Sequence, residues 1–241
     1  MRREISYVPD GSVFEIDTDV YKSTCGIVGD ISDKSLFLKI GGDKACTDGK
    51  VVTLPSRLML ESKLLSKRKM HYTLLEHELA HILFQSDEKN FKFLMDWAQI
   101  YWKEIIESKM SKNLAKKGYK TQQFDIGWWN DYMVPVILNG CRIVYNIVED
   151  HRIEHNWGEI YRGSKQKMRI MAKSCIDHEA TTSFEVLLSV RANRWDYIAD
   201  ADRDLAKNIK DLIQQVEGKS PGMALLISKE IIKLMAEEFL K

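Results

Sequence analysis

Between Pro55 and Pro221 the chain carries a single proline, Pro135, and over most of that span apolar residues recur every three or four positions. That spacing is the period of helices buried along one face. It predicts helices over 57–66, 69–86, 89–111, 130–156, 167–192, 199–216 and 221–240, with Pro135 either in the first turn of the fourth or at a kink in it. Gly118, Gly158, Gly163 and the run GKSPG at 218–222 mark connections.

Residues 1–56 have a different texture. Short apolar stretches, SVFEI, SLFLKI and KVVTL, alternate with Gly, Asp and Pro, the pattern of short strands between turns. In TDGK, Asp48-Gly49 can supply the positive φ that a tight hairpin needs, and Ser56 can cap a helix starting near Arg57. The expected fold is therefore α+β and mainly α-helical. A small N-terminal sheet (1–56) precedes a central part (57–165) and a helical C-terminal part (166–241), all within one domain of 241 residues.

Charge excludes little and favours little. Lys and Arg total 36 against 35 Asp and Glu, so no global field draws the chain to nucleic acid or to a membrane surface. One local basic stretch, KMSKNLAKKGYK with Lys109, Lys112, Lys116, Lys117 and Lys120, lacks the interleaved aromatic residues of a nucleic-acid groove. The aromatic run FDIGWWNDY at 124–132 reads as core packing at a helix start or as a cleft wall. No apolar run is long enough to span a bilayer, and the first residues lack the apolar segment of a secretory signal. Cys25, Cys46, Cys141 and Cys175 are scattered without CxxC spacing. They read as reduced thiols of a cytoplasmic protein.

The segment LLEHELAHIL at 74–83 carries the chemistry. Residues four apart share a helix face, so His77 and His81 can reach one ion. Zn²⁺ takes neutral imidazole nitrogens, and catalytic zinc sites use three protein ligands with a further position open. Glu78 follows the first histidine, where it can act as general base. The surrounding Leu74, Leu75, Leu79, Ala80, Ile82 and Leu83 supply an apolar wrapping, and Glu76 falls on the far side of the helix from the histidines. By chance alone HExxH would arise in about one such chain in a hundred.

The third ligand is expected from NIVEDHRIEH, 146–155, because carboxylates beside apolar residues are costly unless paired or bound to metal. Glu149 is the expected ligand, for its reach across the 8–10 Å that separates packed helices and for the face it shares with Asn146. Asp150 is the alternative, expected instead to accept from an imidazole N–H behind the ligands, together with Asn146 and Glu154. His151 and His155 lie on another face and either bind metal or point at substrate. His178-Glu179 has no second histidine and reads as a surface feature.

The stretches ACTDGKVVTLP (45–55), HELAHI (77–82), NIVEDHRIE (146–154) and YRG (161–163) stand in the order seen in zinc peptidases of bacteria and tailed phages, often described as cobaltochelatase-subunit-like. The chain resembles that family over about residues 40–165. The resemblance implies a gluzincin-like site: His77 and His81 as ligands, Glu78 as base, and a carboxylate of 146–154 completing the set. It also implies one Zn²⁺ per chain, a protein or peptide substrate, and the cytoplasm of a bacterium or a phage-infected host. The strand containing Val51, Val52 and Thr53 would lie beside the cleft and pair with an extended substrate. The von Willebrand A domain common in that family is not expected within these residues, since no DxSxS motif occurs in them.

Three functions compete. The first is a zinc metallopeptidase, an endopeptidase rather than an exopeptidase, with Tyr145, His151 or His155 stabilising the oxyanion. The second is a zincin-fold binding or regulatory protein that acts on a partner without turnover. The third, nucleic-acid binding through the lysines of 109–120, has the least behind it.

Overall fold

The hydroxyl of Ser66 accepts from the Lys69 amide at 3.4 Å and so starts the helix that carries His77 and His81, satisfying one of the orphan donors of a first turn. In the computed structural model, which describes residues 3–7, 13–58, 62–86, 88–116, 127 and 129–239, the chain opens with a hairpin of β1 (Arg3–Tyr7) and β2 (Val13–Asp17). Helix α1 (Thr18–Ser32) and strands β3 (Phe37–Gly42), β4 (Cys46–Thr47) and β5 (Val51–Pro55) follow. Then come α2 (Lys67–Leu83), α3 (Glu88–Lys116), α4 (Val134–Ile160), α5 (Arg162–Ser174), α6 (Ser183–Arg191), α7 (Arg203–Ile213) and α8 (Pro221–Phe239). The architecture is mainly helical α+β, as the sequence pattern predicts.

The three-stranded sheet has the order β3-β5-β4, with β3 parallel and β4 antiparallel to β5. Its hairpin turn is the TDGK segment. Gly49 has φ +87°, and the Asp48 carboxylate accepts from the amides of Lys50 at 2.9 Å and Val51 at 2.7 Å. Val52 and Leu54 point from β5 into a core shared with Leu75, Leu79 and Ala80 of α2 and with Ile153 and Trp157 of α4. A second core joins α3, α4, α6, α7 and α8 around Val144, Val148, Leu187, Ile209 and Ile231. Helix α4 belongs to both: Val144, Tyr145, Ile147 and Val148 pack in one and Ile153 and Trp157 in the other. The EDHRIE segment thus sits at the junction of the two cores.

Three elements depart from the expectation. Helix α1 falls inside the region read as sheet. Asp17 caps it by accepting from the Val20 amide, while its two glycines, Gly26 and Gly29, disguise it as a run of turns. The expected helix 57–66 does not form in its described residues. Ser62 instead accepts from the Leu64 amide, a local turn that competes with helix, and the cap belongs to Ser66 rather than Ser56. The expected helix 167–192 is two helices. Thr182 and Glu185 form a capping box that starts α6 afresh, an S/T-x-x-E signature written in the sequence as TSFE. Pro135 takes its place in the first turn of α4. Of the lysine stretch, Lys109, Lys112 and Lys116 belong to α3, while Lys117 and Lys120 lie outside the described residues. Within the aromatic run, Trp129 is buried and 124–126 and 128 lie outside the described residues.

His71, buried on α2, ties this helix to the sheet and to α1. Its Nε2 lies 2.9 Å from the Pro55 carbonyl and its Nδ1 3.1 Å from the Tyr21 hydroxyl. Burial, against a partly offsetting hydrogen bond to the Pro55 carbonyl, pulls its pKa below the ordinary 6.5. The unfolded chain therefore binds this proton more tightly than the native one, so stability is lost as the pH falls below about 6.5. Chemical denaturation of the wild type and of His71→Asn at pH 7.5 and 5.5 should show the wild type losing more of its stability on acidification. An equal loss in both proteins would mean that His71 makes no such contribution.

Candidate metal centre

His77 and His81 project from one face of α2 toward α4. Their Nε2 atoms are 3.3 Å apart. Asp150 Oδ1 lies 3.6 Å from His77 Nε2 and 3.4 Å from His81 Nε2. These three residues form the only group of potential metal donors of this kind among the described residues. The edges can be tested against coordination chemistry. Ligands at 2.0–2.1 Å in a tetrahedral array about Zn²⁺ stand about 3.3–3.4 Å from one another. A facial octahedral set at similar bond lengths would stand about 3.0 Å apart. The observed edges, 3.3, 3.4 and 3.6 Å, suit three donors that share one metal ion, and they do not by themselves single out zinc.

Behind the triangle lies a layer of hydrogen bonds. His77 Nδ1 is 3.0 Å from Glu154 Oε1, and His81 Nδ1 is 2.8 Å from Ser86 Oγ. Arg191, at the last position of α6, donates to Glu154 at 2.8 Å and lies 3.4 Å from Asp150 Oδ2. It reaches them because α6 approaches α4 closely. A Cβ on Gly140 of α4 would stand 2.8 Å from the tip of the Phe184 ring of α6, so any larger residue there would have to push that ring aside. The far face of α2 is clamped too. Glu76 is buried there and accepts from Ser164 at 2.6 Å and Lys167 at 2.7 Å.

Electrostatics follow from this packing. For Asp150, burial alone would raise the pKa, but Arg191 and the two histidines hold it well below the usual carboxylate range. For Glu154, burial again raises the pKa, but Arg191 and the hydrogen bond with His77 lower it below its usual value. For His77, burial opposes the charge, yet Asp150 and Glu154 outweigh it and raise the pKa to about 9. Glu78 is buried beside both histidines and Asp150. Its pKa is raised, chiefly by loss of water, with the histidines partly offsetting that.

The sequence-based expectations divide here. The structure brings His77, His81, Glu78 and Glu154 together. The choice of Glu149 as third ligand is corrected: Asp150 faces the histidines. Adjacent residues point about 100° apart on a helix, and Glu149 points instead at Arg152, which donates to it at 2.6 and 2.8 Å, and at Ser86. Reach was the wrong criterion, because α2 and α4 pack closely enough for the shorter aspartate. Tyr145 lies in the second core beside Phe91, one turn before Glu149 and away from the triangle, so it is no oxyanion donor here. His151 and His155 face Glu217, at 3.0 and 3.4 Å. Asn146 is exposed on α4, one turn before Asp150 on the same stripe. Val51, Val52 and Thr53 sit on the central strand, with Val52 and Thr53 paired to β4 on one side and β3 on the other. Their backbone edges are therefore taken, which corrects their assignment as a substrate-pairing edge; the edge nearest α2 is β4. His178 is exposed and bonded to Asp177 and Glu185, a surface feature as expected. Arg191 and Ser86 escaped notice, since a lone Arg at a helix end and a Ser past one carry no spacing signal.

Comparison with protein-family models, with curated proteins and with solved structures returned no match. Every assignment for this site therefore rests on its own geometry.

A divalent ion seated among His77, His81 and Asp150 must displace the proton that His77 holds up to about pH 9. Affinity should therefore rise with pH, by up to about tenfold per unit below that value. Titration with Zn²⁺ in weakly buffered solution at pH 7 should release about one proton per ion. Asp150→Asn should abolish stoichiometric binding, whereas pH-independent affinity, or full binding by Asp150→Asn, would place the ion elsewhere.

Proposed function

We propose that this protein is a zinc-dependent metallopeptidase, cleaving internal bonds of extended polypeptide. The observation that carries the proposal is the triangle of two imidazole nitrogens and one carboxylate oxygen with edges of 3.3, 3.4 and 3.6 Å, with the buried Glu78 beside it. Zinc bound there would supply a Lewis acid for the peptide carbonyl and lower the pKa of a water.

The chain's own groups have separate tasks. Glu78 removes the proton from the attacking water and delivers it to the leaving amine. Burial raises the Glu78 pKa, which brings the carboxylate nearer to neutrality, where a general base is most effective. Glu154 and Ser86 hold the two rings by their Nδ1 atoms, which keeps the Nε2 atoms aimed inward. Arg191 keeps Asp150 and Glu154 ionised at neutral pH. The edge of β4 offers backbone groups to an extended chain alongside α2. A protein that merely held zinc for stability would have no use for a buried acid beside the ligands, and this favours turnover over binding alone.

Glu78→Gln separates the two. It keeps the size of the side chain and removes the base, so it should bind zinc stoichiometrically and cleave an unstructured substrate such as casein at least about a hundredfold more slowly. Unchanged cleavage would remove Glu78 from the mechanism. Zinc-loaded wild type with no cleavage of any unstructured polypeptide would favour the binding protein.

A further inference from the structure

Helix α2 ends in a way that bears on His81. Gln85 adopts the left-handed conformation, φ +54°, which costs a non-glycine residue energy. Its amide bonds the Ile82 carbonyl at 3.4 Å, and the next amide, of Ser86, bonds the His81 carbonyl at 3.0 Å. These two bonds make a Schellman cap. The cap turns the chain back under the last turn of the helix and sets Ser86 Oγ 2.8 Å from His81 Nδ1.

The hydroxyl then lies between two partners. It donates to Glu149 Oε1 at 2.6 Å. An ionised carboxylate has no proton to give in return, so the single hydroxyl proton is spent on Glu149. Ser86 Oγ can therefore only accept from His81, which places the imidazole proton on Nδ1 and leaves Nε2 with a lone pair toward Asp150 and His77. Glu149 is in turn fixed by Arg152, whose guanidinium also donates to the Phe84 carbonyl at 2.9 Å and the Lys219 carbonyl at 3.1 Å. Phe84 is the capping residue itself. One fully buried arginine thus braces both the acid that orients Ser86 and the backbone turn that presents it.

We infer that Ser86, Glu149 and Arg152 form a positioning assembly for His81: the helix cap and the buried ion pair together fix the tautomer and direction of the ring for metal binding. The inference rests on the metal centre proposed above. It also gives the acid and arginine of EDHR a task that neither has as a ligand.

Zinc affinity, measured by competition with a chromogenic chelator, and the visible absorption of the Co²⁺-loaded protein test it together. Ser86→Ala removes one oxygen and leaves the Glu149–Arg152 pair intact, so it should fold. Its affinity should fall by about 10- to 100-fold, with an altered Co²⁺ band. Ser86→Thr, which restores the hydroxyl, should recover most of the affinity. Glu149→Gln should weaken binding to a similar degree, and the double variant Ser86→Ala/Glu149→Gln should be no weaker than the worse single one, since both act through one ring. Wild-type affinity and an unchanged Co²⁺ band in Ser86→Ala, with zinc still lost in Asp150→Asn, would overturn this inference and leave the metal centre standing. Loss of zinc in Glu149→Gln with retention in Asp150→Asn would overturn both.

Discussion

Two imidazoles and a carboxylate held within 3.6 Å of one another, largely out of water, are unfavourable neighbours unless something positive joins them. The rest of the structure answers this crowding. Glu78, Glu149, Asp150 and Glu154 bring four carboxyl groups to one small volume, and Arg152 and Arg191 bring two guanidiniums. With all of them ionised and the histidines neutral, two negative charges remain, which is the charge of one divalent cation. In the metal-free chain the proton retained by His77 to about pH 9 offsets part of that excess.

Close helix packing makes the crowding possible. Helix α2 lies with the sheet on one side and α4 and α5 on others, and α4 contributes to both cores. Its Ile153 and Trp157 anchor it against α2, and its Val144 and Val148 anchor it against α3, α6 and α8. Asp150 and Glu154, one turn apart, are carried between those anchors to the histidines. The Gly140 contact with Phe184 brings α6 near enough for Arg191 to complete the charge balance. Loss of either core would be felt at the site, because its side chains come from α2, α4 and α6 together.

Much of this was legible in the sequence, for identifiable reasons. The HExxH spacing fixes the face that His77 and His81 share, whatever the tertiary fold. The texture change at Pro55 marks where the strands end, and Asp48-Gly49 announces its own turn. What escaped is equally specific. Whether Glu149 or Asp150 faces α2 depends on the rotation of α4 about its axis, which is set by core contacts at 144–157 and not by local pattern. Helix α1 was hidden by its glycines, and α6 by an overlooked capping box at Thr182. The place of β5 at the centre of its sheet follows from pairing with β3 and β4, which no single segment reveals. Ser86 and Arg191 act through long-range contacts that leave no periodic trace.

The central claim is that His77, His81 and Asp150 together hold one zinc ion. Crystals grown with Zn²⁺ and measured on both sides of the zinc absorption edge test it most directly. A single anomalous peak about 2.0–2.2 Å from His77 Nε2, His81 Nε2 and an Asp150 carboxylate oxygen, with Glu149 still on Arg152, is the predicted result. A peak coordinated by Glu149 in place of Asp150, or one away from these two histidines, would contradict it.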